Sequence, residues 1–125
     1  MGLTHIKARV ANLARPGKSS TVTFLVDSGA VYSVVPRATL RRLGIRSHSS
    51  RTFILADGTE ITRRVGDALF VIDDHRAASP VIFGEKDDSP LLGTVSLESL
   101  GLILDPMKRV LRPLPMVLGQ LRAVR

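Results

Sequence analysis

The chain of 125 residues contains no cysteine and no tryptophan, and it has only three histidines. Without cysteine it can form neither a disulfide nor a thiolate metal site, and it has no thiol nucleophile. The histidines, His5, His48 and His75, are scattered and lack the spacing of metal ligands. The sequence therefore predicts no metal site and no cofactor.

Long apolar runs are also absent. No run approaches the roughly 18 apolar residues that a membrane span requires. Lys7 and Arg9 near the N-terminus are not followed by an apolar segment of signal-peptide length. We expect a single domain without a membrane span, located in the cytoplasm.

The net charge of +7 is unevenly distributed along the chain. Residues 1–51 hold nine Lys or Arg and one acid, residues 52–105 hold four basic and ten acidic residues, and residues 106–125 hold five basic residues and no acid. Basic ends can bind nucleic acid, but one tyrosine and no tryptophan offer little base stacking. A solvated arginine-rich surface is favoured over nucleic-acid binding, and a contact between the basic ends and the acidic middle is the other alternative.

The residue pattern is mostly that of β-strands. Alternating apolar residues around the turn Arg15-Pro16-Gly17-Lys18 predict a hairpin over residues 4–26. Asp57-Gly58, between β-rich runs at 51–56 and 59–72, predicts a second hairpin. The remaining predicted features are a polar turn at 73–78, a strand at 81–83, an acidic loop at 85–88 and strands at 102–104 and 110–111.

A short pattern occurs twice and predicts two helices. Leu40-Arg41-Arg42-Leu43-Gly44-Ile45 returns as Leu97-Glu98-Ser99-Leu100-Gly101-Leu102. The leucines share one helix face, and the glycine stands where helix ends often turn left-handed. We expect Pro36 in the first turn of the first helix and Thr94 or Ser96 as the cap of the second. The repeat indicates two similar halves.

The tetrad Asp27-Ser28-Gly29-Ala30 lies between the apolar run 22–26 and the apolar stretch 31–36. An acid that leaves a buried strand needs a partner, because desolvating an unpaired carboxylate is very costly. No second copy of the tetrad exists in the chain, and no other carboxylate combines a strand-loop setting with glycine two positions on. The natural partner of Asp27 is therefore Asp27 of a second chain.

These residues resemble the retropepsin-like aspartic proteases, in which each chain of a homodimer supplies one Asp-Ser/Thr-Gly loop. The resemblance extends to the apolar stretch ending in Pro36, to Leu91-Leu92-Gly93 and to the turn Ala56-Asp57-Gly58-Thr59, and it covers roughly residues 19–112. It implies a mostly β acid-protease lobe, a closed barrel or sandwich with one or two short helices, active as a symmetric dimer. The protease domain would span residues 1–112. The tail, residues 113–125, would pair with the partner chain, pack as a short helix or serve as a tether.

By the same resemblance, the protein is an aspartic endopeptidase without metal or covalent intermediate. Two Asp27 carboxylates in one site cannot both ionise cheaply, so one acts as general base on water while the protonated one hydrogen-bonds the scissile carbonyl. Ser28 would brace the two loops across the dimer axis, and Gly29 would bring backbone groups close to the substrate. The implied substrate-binding residues are Ala30, Val31, Tyr32, Ala56, Asp57, Gly58, Thr59, Leu92 and Gly93, with Ile54 as a further pocket residue.

Two alternatives stay open from the sequence. One is a non-catalytic dimer of the same fold that binds peptides or, through its basic ends, nucleic acid. The other is a processing enzyme that acts on one protein partner only. Asp27 favours an enzyme over a pure binder, because a binder has no need for two acids at a symmetry axis. The hairpin at Asp57-Gly58 is the candidate flap, and its single glycine predicts lower mobility than that of glycine-rich viral flaps.

Overall fold

The architecture was determined as a computed structural model, which describes residues 3–122. Within these residues the chain forms nine strands and two short helices, so the predicted mostly β fold is confirmed. The elements are β1 (His5–Ala11), β2 (Ser19–Val26), β3 (Ser33–Pro36), α1 (Arg37–Arg42), β4 (Ser47–Ile54), β5 (Glu60–Ile72), β6 (His75–Gly84), β7 (Leu91–Leu92), α2 (Thr94–Leu100), β8 (Leu102–Asp105) and β9 (Val110–Pro113).

Seven strands form one sheet in the order β1-β2-β7-β3-β6-β5-β4. Strand β1 also pairs with β5, through Arg9↔Val71 to Ala11↔Leu69, so six of the seven strands close into a ring and β4 lies outside it. Strands β8 and β9 form a separate antiparallel pair. Closure of the ring removes most free strand edges and encloses the core.

The core lies inside this ring because apolar residues alternate along its strands. Phe24 of β2 and Phe70 of β5 are completely buried, and their ring centroids lie 6.0 Å apart in a tilted arrangement. Leu40 of α1 and Leu97 of α2 join the same cluster. Each such side chain contributes about 2 kcal/mol through the apolar area that it removes from water.

Both leucine-glycine patterns form helices, as the repeat predicts. Gly44 (φ 75°) and Gly101 (φ 73°) adopt the left-handed conformation expected after a helix end. The predicted starts differ: Pro36 stands at the residue before α1, and Gly93 precedes α2 without a side-chain cap. Ser96 cannot cap the helix because its hydroxyl is buried in another hydrogen-bond network.

Two strands are longer than predicted. Strand β6 begins at His75, so the turn expected over residues 73–78 is confined to Asp73 and Asp74, and β4 begins at Ser47 rather than at residue 51. The residues added to β4, 47–50, are all polar, and those added to β6 include His75, Arg76 and Ser79, yet the backbones of both segments pair with β5. Main-chain pairing needs no apolar side chains, which explains why the apolar pattern underestimated these strands.

The described part of the C-terminal tail, residues 114–122, forms neither helix nor strand, so the short helix, one of the three alternatives for the tail, does not form in these residues. Leu114 attaches its start, since its N–H donates to the carbonyl of Gly101 at 2.8 Å. Residues 1–2 of the predicted domain and 123–125 of the predicted tail lie outside the described residues.

Across residues 3–122, no helix has the length and apolarity to cross a membrane, and no group of three His, Asp or Glu is arranged to hold a metal.

Candidate active site

Asp27 leaves the closed ring at the end of β2. Strand β2 pairs in parallel with β7, with Leu25 opposite Leu91 and Val26 opposite Leu92. This pairing continues one residue further, because the N–H of Asp27 donates to the carbonyl of Leu92 at 3.1 Å. The backbone of the acid is thus fixed by the sheet, while the residue itself is half-buried.

Residues 27–32 form a tight loop that begins at Asp27, and we call it the Asp27 loop. The Oδ1 atom of Asp27 accepts the N–H of Gly29 at 2.9 Å, and its carbonyl accepts the N–H of Ala30 at 3.1 Å. A Cβ at residue 29 would lie 3.2 Å from Oδ1, closer than an ordinary van der Waals contact, so glycine avoids a steric clash with the carboxylate. Ser28 and Gly29 are exposed at the tip of the loop.

The start of α2 holds the Asp27 loop from behind. The carbonyls of Ala30 and Val31 accept the N–H groups of Thr94 and Val95 at 2.9 and 3.0 Å. Gly93 makes this contact sterically feasible, since a Cβ there would lie 2.7 Å from the backbone carbon and oxygen of Tyr32. The predicted Leu-Leu-Gly element therefore supports the loop by close backbone approach.

Three buried serine hydroxyls continue this support. The N–H of Gly93 donates to Ser33 Oγ at 3.0 Å, and Ser79 Oγ donates to the carbonyl of Pro80 at 3.2 Å. Ser96 Oγ lies between Ser33 Oγ and Ser79 Oγ, within hydrogen-bond distance of both. Each hydroxyl has a single proton, and that of Ser79 is donated to Pro80, so Ser96 donates to Ser79 and Ser33 donates to Ser96. The chain of hydroxyls joins β3, α2 and β6.

A groove of about 790 Å³ opens beside the Asp27 loop, within the usual size of a binding site. Its walls are mainly apolar, with Asp27, Arg63 and Asp88 among the charged lining residues. The apolar lining includes Leu25, Val31, Val34, Phe53, Ile54, Ile61, Ile82 and Leu91. Such a surface suits an extended peptide whose apolar side chains enter the groove.

Tyr32 connects the Asp27 loop to β4 across the groove. Its ring meets Phe53 edge-on, with centroids 6.0 Å apart. Arg51 Nη1 donates to Tyr32 Oη at 2.8 Å, and the guanidinium carbon of Arg51 lies 5.6 Å from the centre of the tyrosine ring. Hydrogen bonding and cation–π attraction therefore act on the same pair.

An ion pair fixes another part of the groove wall. Arg63 of β5 holds Asp88 with two hydrogen bonds, Nε to Oδ2 at 2.7 Å and Nη2 to Oδ1 at 2.9 Å. Asp88 Oδ2 also accepts the N–H of Glu85 at 2.7 Å. The hydrogen bond from Arg63 lowers the pKa of Asp88, and the same bond raises the pKa of Arg63. The acidic loop predicted at residues 85–88 is thus tied to β5.

The hairpin tip at residues 55–59, which we call the flap hairpin, closes by local bonds. The N–H of Leu55 donates to the carbonyl of Thr59 at 2.8 Å, and the N–H of Thr59 donates to Asp57 Oδ1 at 2.9 Å. Gly58 has the left-handed φ of 86° that this turn requires. Hydrogen bonds from Thr59, its hydroxyl first and its N–H second, lower the pKa of Asp57. All five residues are exposed.

The structure brings most of the predicted site together around the groove. The lining includes Asp27, Gly29, Ala30, Val31, Tyr32 and Ala56, whereas Ser28, Asp57, Gly58 and Thr59 lie at exposed tips. The side chain of Leu92 points into the core instead, because it is completely buried, and its neighbour Leu91 lines the groove. Successive residues of a strand face opposite sides, so only one of the two leucines can line the groove, and the register of β7 decides which one.

Sequence reasoning missed several other lining residues. Phe53 and Ile61 reach the groove because they face each other across the β4–β5 pair, and Ile82 comes from β6. Arg63 and Asp88 are separated by 25 residues in the sequence. Their pairing depends on the antiparallel register of β5 and β6, which no local pattern reports.

Comparisons with known proteins agree with this geometry. A family model described as aspartyl protease matches residues 7–95. Among solved structures, the chain is similar to a retropepsin-like aspartic protease from Rickettsia conorii, with 24% sequence identity, a TM-score of 0.53, and coverage of 84% of this chain and 86% of that chain. None of the curated proteins matches this chain significantly. Because the family model spans well over half of the chain, the protein belongs to the aspartyl protease family and is an aspartic-type peptidase with the retropepsin-like fold.

Proposed function

We propose that the protein is an endopeptidase whose active site forms between two copies of the chain, each of which contributes Asp27. The observation that carries the proposal is the position of Asp27 on a backbone-fixed loop beside a largely apolar groove. Two other carboxylates line the groove: Asp88 is already engaged by Arg63, and Asp87 lies in the turn that follows β6. The tetrad occurs only once in 125 residues, so a second Asp27 requires a second chain.

In this dimer the two Asp27 carboxylates share one proton, because two adjacent charges are mutually unfavourable; aspartic proteases are the standard example of this coupling. The ionised carboxylate removes a proton from a water molecule, whose oxygen attacks the carbonyl carbon of the substrate. The protonated carboxylate donates to the carbonyl oxygen. Collapse of the tetrahedral intermediate breaks the C–N bond as the leaving amine takes up the proton that the first carboxylate removed from water.

Substrate binding uses both sides of the groove. An extended peptide would pair through its main chain with the Asp27 loop and the flap hairpin, while alternate side chains enter the apolar lining. Ala30, Val31 and Tyr32 contact it from one side, and Ala56 to Thr59 from the other. Leu92 and Gly93 act from behind, through the carbonyl that fixes Asp27 and the close approach to Tyr32. Ser28, exposed at the loop tip, contacts the partner chain.

The C-terminal tail supplies a further contact between the two chains. Met116, Val117, Leu118 and Leu121 expose 66–87% of their surface in the single chain. Exposed apolar residues grouped in one segment are typical of an interaction surface. Deletion of residues 115–125 is expected to weaken the dimer at least about tenfold in sedimentation equilibrium. An unchanged dimer dissociation constant would remove the tail from the interface.

Cleavage of a diverse peptide library between about pH 4 and 7, read by mass spectrometry, tests the catalytic role. Asp27→Asn is expected to lower cleavage at least about 1,000-fold, because its amide cannot accept the proton of water. Asp74→Asn is the matched control, since its side chain is 95% exposed and lies outside the groove. Cleavage by the Asp27→Asn variant at the native rate contradicts the proposal. No cleavage by the native dimer favours a peptide binder or an enzyme for one partner.

A mixing experiment tests whether two Asp27 residues act together. Native protein and Asp27→Asn protein are mixed at a fixed total concentration and allowed to exchange subunits. If each site needs two Asp27 carboxylates, activity follows the square of the native fraction, and an equal mixture retains about one quarter of the activity. Activity proportional to the native fraction would show that each chain acts alone.

A further inference from the structure

A second cleft, of about 520 Å³, lies between α1 and the β4–β5 pair. Its charged lining consists of Arg37 and Arg41 of α1, Arg46, Arg64 of β5, and Glu85. We call it the arginine cleft. Ile45 and Phe83, both nearly buried, provide the apolar part of its lining.

The positive charges of the arginine cleft are largely uncompensated. Its single carboxylate, Glu85, lies 3.3 Å from Arg37. Arg64 donates to the hydroxyls of Ser47 and Ser50, both at 3.0 Å, which orients the guanidinium without neutralising it. Within residues 3–122, neither Arg41 nor Arg46 has a carboxylate oxygen within 4.0 Å. Four guanidinium groups therefore face one carboxylate.

This arrangement is unfavourable in the absence of a ligand. Arg37 and Arg41 stand four residues apart on α1, the spacing at which like charges on a helix repel. Both side chains are exposed, so water and salt weaken this repulsion without removing it. A bound anion reverses the balance, and the planar guanidinium fork matches the oxygens of a phosphate group with two parallel hydrogen bonds.

The arginine cleft is separate from the peptide groove. Arg63 lines the groove and Arg64 lines the arginine cleft, and the neighbours Ile82 and Phe83 divide in the same way. Adjacent residues of a strand point to opposite faces of a sheet, so the two sites lie on opposite faces. The arginine cleft thus lies apart from the groove in which cleavage is proposed.

We propose that the arginine cleft binds a multiply charged oxyanion of the phosphate type, free in solution or carried on a peptide. The number of unpaired guanidinium groups, the fork geometry of arginine and the concave shape of the cleft all favour a compact anion with several oxygens. Titration calorimetry with pyrophosphate as the probe, at about 50 mM salt to limit screening, tests the proposal on the full chain.

Two double variants with equal loss of charge give the comparison. Arg41→Ala with Arg46→Ala removes half of the guanidinium groups of the cleft, whereas Arg9→Ala with Arg76→Ala removes exposed arginines of β1 and β6. The native protein and the control are expected to bind pyrophosphate equally, and the cleft variant at least about tenfold more weakly. Equal weakening in both variants, or no binding by the native protein, overturns the proposal.

Thermal unfolding without ligand gives a second readout. The cleft variant is expected to unfold at the same or a higher temperature than the native protein, because removal of two like charges relieves repulsion. A lower midpoint would show that the arginines stabilise the fold and would overturn the argument. Both readouts are independent of peptidase activity, so their results do not depend on the outcome of the Asp27 experiments.

A competition experiment distinguishes the two sources of the anion. A phosphoserine peptide and its unphosphorylated form are titrated against the complex with pyrophosphate. Displacement by the phosphopeptide alone, at concentrations close to those of pyrophosphate, assigns the site to a peptide-borne phosphate. Displacement by free phosphates only assigns it to a soluble anion. Displacement by the unphosphorylated peptide as well would overturn the requirement for a phosphate-type group.

Discussion

The Asp27 loop and the flap hairpin both contribute residues to the lining of the groove, but they are held in different ways. The carbonyls of Ala30 and Val31 and the N–H of Asp27 bond to distant segments, with buried hydroxyls behind them. The bonds of the flap hairpin join only residues 55–59, all of which are exposed. Support from distant segments is concentrated at the loop that carries Asp27, and the flap hairpin depends on local interactions.

This difference predicts how the two regions respond to mutation. Damage behind the Asp27 loop should reduce the free energy of unfolding, because the loop shares its contacts with the core. Damage to the flap hairpin should change substrate binding and leave global stability nearly unchanged, because few contacts outside the hairpin depend on it. Four substitutions, taken in order of decreasing effect, test this contrast.

Gly93→Ala is expected to have the largest effect. A Cβ at this position would lie 2.7 Å from the backbone of Tyr32, so the Asp27 loop or α2 must shift. We expect a loss of about 3 kcal/mol in the free energy of unfolding, measured by urea denaturation, together with loss of activity. Gly17→Ala is the control, since its Cβ would meet nothing within 4 Å. Equal stability of both variants would show that the close approach is not needed.

Ser96→Ala tests the hydroxyl chain. The substitution leaves Ser33 without its acceptor and Ser79 without its donor in a buried environment. We expect a loss of about 2 kcal/mol in the free energy of unfolding. Ser99→Ala, on the exposed face of the same helix, should change stability by less than about 0.5 kcal/mol. Activity should fall with the first variant only, because Ser33 also accepts the N–H of Gly93.

Arg63→Ala tests the ion pair in the groove wall. It leaves Asp88 without its bidentate partner, and both side chains are mostly buried. We expect a loss of about 1–2 kcal/mol in the free energy of unfolding at neutral pH. Arg63→Lys should restore only part of it, because lysine cannot form the paired hydrogen bonds.

The same ion pair predicts a pH dependence. Arg63 lowers the pKa of Asp88 in the folded protein below its usual value of 3.8. The unfolded state therefore binds the proton more tightly, and the pair stabilises the protein fully above about pH 4. The advantage of the native protein over Arg63→Ala should shrink as the pH falls below that value. An advantage that stays constant down to about pH 2 would contradict this assignment.

The parts of this contrast that sequence predicts are those encoded locally. The apolar run before Asp27, the Asp57-Gly58 turn and the two leucine-glycine helices each lie within about a dozen residues, and all three occur in the structure. The position of Asp27 at a strand end follows from the apolar run that precedes it. Local patterns report these features because backbone propensity and side-chain period determine them directly.

The support of the site was not predictable in the same way. Ser96 fits a helix cap by its position, yet it bonds to Ser33, 63 residues away, because the closed ring brings β3 against α2. Arg63 and Asp88 meet for a similar reason. Leu91 and Leu92 differ only in which face they present, and that depends on the register of a strand of two residues. Such contacts are properties of the topology, and single segments do not encode them.

Asp57→Ala is the mildest change and the sharpest test of the flap hairpin. The substitution removes the acceptor for the N–H of Thr59, and hydrogen bonds from Thr59, its hydroxyl before its N–H, lower the pKa of Asp57. Since the residue is exposed, we expect no measurable change in the urea midpoint. Amide hydrogen exchange should accelerate at Leu55 and Thr59 while the amides of Thr94 and Val95 stay protected, and KM should rise with little change in kcat. A parallel loss of protection at Thr94 would show that the two segments are coupled. It would contradict the view that the flap hairpin is held independently of the Asp27 loop.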